Sequence, residues 1–142
     1  MTTVEDMLNR VRKVDLDFET EESINDVRDV YVKEQREQLY TGKLSTGEPI
    51  EPEYSDQTVR SKKRKGQPFN RVTLKDTGEF YKNIFLDVRE DIFVIDSADP
   101  KTDKLVEKYS EDIFGLNERR TNTFVKELEP VFINRIKKVL EL

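Results

Sequence analysis

The cations Arg60, Lys62, Lys63, Arg64 and Lys65 crowd one short stretch and are the sharpest chemical feature of the sequence. Flexible cations at that density can neutralise a phosphate backbone without reading its sequence. No aromatic residue is interleaved with them, so the run itself lacks a stacking platform for single strands. The plainer reading is preferred: a solvated loop, or a patch that pairs with acidic faces of neighbouring subunits. Gly42-Lys43-Leu44-Ser45-Thr46-Gly47 has the glycine spacing of a phosphate-binding loop. Glu48, however, stands where such a loop needs lysine, and the segment comes after a helical pattern where a strand is required. That reading is rejected.

Carboxylates gather at Asp87, Glu90, Asp91, Asp96, Asp99 and Asp103 and could offer oxygen ligands to a hard cation. Their spacing fits no EF-hand loop, and Asp is common at turns for local reasons. A structure without metal or cofactor is therefore expected. The chain has neither histidine nor cysteine. Ser-His-Asp and Cys-His catalysis, thiolate metal sites and disulfides are closed to it. No catalytic residue is assigned, and the chain is not expected to be an enzyme.

The elements that must position these groups are set by apolar periodicity. Val4, Met7, Leu8, Val11 and Val14 recur at helical spacing, which predicts a helix over about residues 3–14 with Thr3 as N-cap and Asp6 completing a capping box. Asp15 to Phe18 alternate polar and apolar and read as a connector. A longer helix starting near Thr20 or Ser23 carries Ile24, Val27, Tyr31 and Leu39 and stops at Gly42. Gly42, Gly47, Pro49 and Pro52 predict a long loop, with a short helix from Asp56 through Val59 leading into the basic run and Gly66 ending it. One or two helical turns are expected after Asp76 or Thr77. Phe85, Leu86 and Val88, then Ile92 to Ile95, predict a β-hairpin whose turn is Arg89-Glu90-Asp91. Lys101 to Ser110 reads as helical. A last helix runs from about Thr121, with Phe124, Leu128, Val131 or Phe132, Ile136, Val139 and Leu140 as a core stripe and Pro130 as a kink.

The fold class expected is α+β, with helices packed against a small antiparallel hairpin and a long C-terminal helix. Residues 1–142 form one domain: helices over 1–40, an extended Gly/Pro and basic loop region over 41–72, and the hairpin plus C-terminal helices over 73–142. Hydrophobic residues make up 35% of the chain and charged residues 39%, with a formal net charge of -5. The apolar share is below the roughly 45–50% usual for a globular domain. Partial disorder would account for that; so would burial completed against other subunits, and the periodic placement of the apolar residues favours the second. No apolar stretch approaches the ~18 residues of a membrane span, and no signal-peptide core comes after Met1, so synthesis in the cytoplasm without a membrane partner is expected.

The order of motifs over about residues 35–142 resembles that of phage virion morphogenesis and tail-completion proteins of the head–tail connector or neck. Leu74-Lys75-Asp76-Thr77-Gly78-Glu79-Phe80 through Ile84 is similar to their "L-x-D-T-G-x-L…S-I" segment. Thr46 to Pro52 and Arg60 to Lys65 match the Gly/Pro loop and basic stretch on its N-terminal side. The hairpin, Tyr109, Phe114-Gly115 and the C-terminal helix match the elements on its C-terminal side. Ile113 stands where these proteins often have histidine, Thr123 where they have proline, and Tyr81 brings an aromatic into the Asp-Thr-Gly segment. The resemblance implies a structural virion protein, made in the host cytoplasm, that forms a homo-oligomeric ring at the head–tail junction. It implies contacts with portal or connector, tail tube or neck proteins through the hairpin and long loop, with the basic run against DNA or an acidic adjacent ring. Two rival readings differ in class: a nucleic-acid-binding module using Arg60–Lys65, and a metal-dependent enzyme using the carboxylates of Asp87–Asp99.

Overall fold

Side-chain caps mark most helix starts in the computed structural model, which describes residues 2–89 and 92–142. The Thr3 hydroxyl accepts from the Asp6 amide at 3.1 Å and the Asp6 carboxylate accepts from the Thr3 amide at 3.0 Å, opening α1 (Val4–Arg12). Those hydrogen bonds from Thr3 hold the Asp6 carboxyl below its ordinary pKa. Asp15 caps α2 (Leu16–Asp26) through the Phe18 amide. The expected connector at residues 15–18 is thus a helix start, because a local Asp cap outweighs the alternating pattern. The single long helix expected from Thr20 to Gly42 is two helices. The chain leaves helical geometry at Val27 (φ -113°, ψ 16°) and resumes as α3 (Arg28–Tyr40). Ile24, Val27, Tyr31 and Leu39 are nevertheless all buried, as their spacing predicts.

Gly42, at φ 77°, turns the chain out of α3, and a bridge between Lys43 and Pro49 closes the loop beyond it. α4 (Asp56–Lys65) is capped by Ser55 and ends at Gly66 in left-handed geometry, φ 69°. The region 41–72 is therefore not wholly extended: the helix expected from Asp56 runs through the entire basic run to its stop at Gly66, with Ser55 and not Asp56 as its cap. A single turn, α5 (Glu79–Lys82), leads into β1 (Ile84–Arg89), which pairs antiparallel with β2 (Ile92–Ser97). The hairpin is as expected; the Glu90-Asp91 part of its turn lies outside the described residues. α6 (Thr102–Tyr109), a 3-10 turn (Glu111–Ile113) and α7 (Glu118–Leu140) complete the chain. α7 starts earlier than Thr121 because Asn117 caps it, and it continues through Pro130 as one helix. Among the described residues the fold is α+β, seven helices on one two-stranded sheet.

Register decides which hairpin side chains reach the core. Ile84, Leu86 and Val88 lie opposite Ser97, Ile95 and Phe93, and this face packs on the helices. Phe85, Asp87 and Arg89 lie opposite Asp96, Val94 and Ile92 and face away from it. The core joins this sheet face to α2, α3 and α7, with Tyr31 edge-on to Phe124 at 5.1 Å between centroids.

Two glutamines tie the irregular Phe114-Gly115 segment down. Gln35 and Gln38 are fully buried, so each amide must find partners at both ends. Gln35 donates to the Ile113 carbonyl and accepts from the Gly115 amide; Gln38 donates to the Gly115 carbonyl and accepts from the Asn117 amide, all at 2.7–3.0 Å. One turn into α7, buried Arg120 pairs with Glu34 at 2.8 Å and Glu37 at 3.2 Å.

Candidate functional site

Five cations on consecutive turns of one helix cannot share a face, because each residue advances about 100°. α4 accordingly splits the basic run. Lys62 and Lys65, three apart, lie on one side. Arg60, Lys63 and Arg64 are exposed elsewhere on the helix, with the Lys63 ammonium 4.7 Å from the Phe69 ring centroid. Charges in this last turn also complement the negative end of α4.

Lys62 is the unusual member. Its side chain is buried, 7% exposed, yet among the described residues no carboxylate pairs with it. The ammonium donates to the Lys75 carbonyl at 2.7 Å and to the Gln67 side-chain oxygen at 3.4 Å, and it lies 5.0 Å from the Tyr54 ring centroid. A buried cation with only neutral partners keeps an uncompensated charge.

The bonds of Lys62 hold α4 against the loop that carries Leu74-Lys75-Asp76-Thr77-Gly78. Gln67 donates to the Asp76 carbonyl at 2.9 Å, and Lys65 pairs with the Asp76 carboxylate at 3.3 Å. The basic run and the Asp-Thr-Gly motif, separate in sequence, therefore form two walls of one cleft of about 440 Å³. α6 supplies a third wall through Lys101, Leu105 and Tyr109, and Tyr54 and Phe80 add aromatic surface. Lys62, Lys65, Lys75 and Lys101 line it against the single carboxylate of Asp76. The Lys75 ammonium rests over the rings of Tyr40 and Tyr81, 5.6 Å from each centroid. Behind this wall the Tyr81 hydroxyl donates to the Thr73 carbonyl, and burial raises its pKa well above the ordinary tyrosine value.

The carboxylates are not brought together. Asp87 and Asp96 lie on the outer hairpin face, Asp87 paired with Arg89 at 2.8 Å. Asp99 is buried and accepts from the Lys101 amide, and Asp103 is exposed on α6. Glu90 and Asp91 lie outside the described residues. Among the described residues no group of three or more acidic side chains is placed to hold a metal ion. The Gly42–Gly47 segment forms the closed loop after α3, with Leu44 donating to the Glu48 carbonyl at 2.8 Å.

Two apolar faces remain open. α1 has no buried residue, and Val4, Met7, Leu8 and Val11, its whole apolar stripe, are between 49% and 74% exposed. The helix is held to the end of α7 by Arg10, which pairs with Glu141 at 2.8 Å. The outer face of the hairpin exposes Phe85, Ile92 and Val94.

Sequence reasoning finds the basic run and the Asp-Thr-Gly motif but not their meeting, nor Lys101, Tyr109 and Tyr54 beside them. Aromatic residues missing from the run arrive from residues 54, 80 and 109. Only long-range packing brings them there, and periodicity carries no signal for it. Neither a family model, nor a curated protein, nor a solved structure matches the chain.

Proposed function

We propose that the chain is a structural phage virion subunit of the neck or tail-completion type that closes into a ring at the head–tail junction. The observation that carries this reading is the pair of unlike apolar faces, on α1 and on the outer hairpin, that the chain leaves uncovered. Burying such surface contributes about 25 cal/mol per Å². Contact between unlike faces of successive copies is heterologous, and it closes into a ring when the rotation divides a full turn. Motif order supports the same reading: the Asp76-Thr77-Gly78 turn, the hairpin, Phe114-Gly115 and a long last helix succeed one another as in the resembling proteins. The rival reading, a nucleic-acid module built on Arg60–Lys65, draws less support because α4 spreads those cations around its circumference.

Native mass spectrometry of the purified chain and protein analysis of purified particles test the proposal. Expected are complexes of several copies and the presence of the chain in virions. A strictly monomeric chain that never enters the particle overturns it.

A further inference from the structure

The geometry points to a ligand site in the cleft between α4, the Leu74–Gly78 loop and α6, taking a phosphate-bearing molecule of mononucleotide size with a planar or apolar body. Three observations carry it. First, the buried Lys62 ammonium faces only a carbonyl, an amide oxygen and a ring, which leaves its charge for an anion to complete. Second, the local charge is out of keeping with the molecule. A chain of net charge -5 gathers Lys62, Lys65 and Lys101 against one carboxylate here, with Lys75 lining the cleft while its ammonium lies over the Tyr40 and Tyr81 rings. Four other surface depressions, by contrast, each hold at least as many carboxylates as cations. Lys101 makes no side-chain ion pair among the described residues, and Lys65 is engaged only by Asp76, an exposed pair that a dianion can displace.

Third, the lining is mixed. Tyr54, Phe80, Leu105 and Tyr109 offer apolar surface, while the hydroxyls of Thr58 and Thr77 offer hydrogen bonds. A volume of about 440 Å³ lies in the roughly 300–1,000 Å³ range of small-molecule sites. The cations are all lysines. Lysine serves phosphate as a point charge, and a phosphate dianion balances several lysines set against one carboxylate better than a carboxylate monoanion does, so phosphate is the better fit. The same chemistry comes from a free nucleotide or from the phosphorylated end of a strand.

Calorimetric titration of the full chain with adenosine 5′-monophosphate, inorganic phosphate and adenosine tests the site. Lys65→Gln and Lys101→Gln change exposed side chains and keep the fold testable by circular dichroism; Lys126→Gln on α7 is the control. Expected is saturable binding of the monophosphate, weakened by roughly tenfold in each cleft variant, unchanged in the control, and at least as much weaker for adenosine. Equal binding of a 5′-phosphorylated oligonucleotide, with none of its 5′-hydroxyl counterpart, assigns the ligand to a strand end. Binding of the mononucleotide alone assigns it to a free nucleotide. No binding of either phosphate compound by the folded chain at millimolar concentration overturns the site, as does binding that survives both cleft substitutions or falls equally in the control.

Discussion

Helices α1 and α3 use comparable shares of charged residues but treat burial in opposite ways. On α3 even polar residues are taken inside: Gln35 and Gln38 are fully enclosed and both ends of each amide are partnered across to residues 113–117. On α1 even the apolar residues stay outside, and a single arginine fastens the helix to the end of α7. Sequence amphipathicity would rank them the other way, since α1 carries the sharper apolar stripe and is the exposed helix. What separates them is whether the rest of the chain supplies a facing surface, and for α1 it does not.

Substitutions on the two helices should therefore differ severalfold in their effect on stability. Leu39→Ala, at a fully buried position of α3, is expected to cost about 3 kcal/mol in urea unfolding. Gln38→Ala leaves the Gly115 carbonyl and the Asn117 amide without partners and is expected to cost about 2 kcal/mol. A loss below half of these values in both would mean that the α3 region is looser than its hydrogen bonds indicate.

Alkaline titration gives the next contrast. Burial raises the folded-state pKa of Tyr81, and that of Tyr31 beside α7, above the unfolded value of about 10. A raised pKa on tyrosine means the unfolded chain loses its proton first. The associated stability is complete below about pH 10 and falls by about 1.4 kcal/mol per pH unit above it for Tyr81. Ultraviolet difference spectroscopy should show these phenols ionising together with unfolding; ionisation while the fold persists would contradict their enclosure. Smallest is the effect on α1: Met7→Ser with Leu8→Ser is expected to change chain stability by less than about 0.5 kcal/mol, while lowering the associated fraction seen by sedimentation. A large stability loss would show that α1 is packed in solution.

The parts of the fold written in local patterns are legible along the chain. Two short runs of β-branched and aromatic residues around a charged turn identify the hairpin, helical spacing identifies α7, and Gly66 announces the end of α4. The break at Val27 is hidden because apolar spacing stays in phase across it, so one stripe serves two helices. The start of α2 is obscured although Asp15 stands where a cap belongs, since four alternating residues resemble a connector. Gln35 and Gln38 read as surface polar residues on any scale of hydropathy. Their burial depends on carbonyls and amides of a segment some 80 residues away, which no window along the chain contains. The candidate cleft is half legible: its two motifs are visible, but the α6 wall that closes it is not.

The glutamine clamp has a mechanical consequence. With four hydrogen bonds spanning residues 113–117 and the Arg120 ion pairs one turn beyond, the lead-in to α7 is coupled stiffly to α3. A pull or twist applied along α7 passes directly into α3 and is not absorbed by the intervening turn. Compliance is then concentrated where such cross-ties are few, at the short link between α1 and α2. In an assembly that swings α1 to meet a neighbour, that link would bend while the body of the subunit stays behind as one rigid piece.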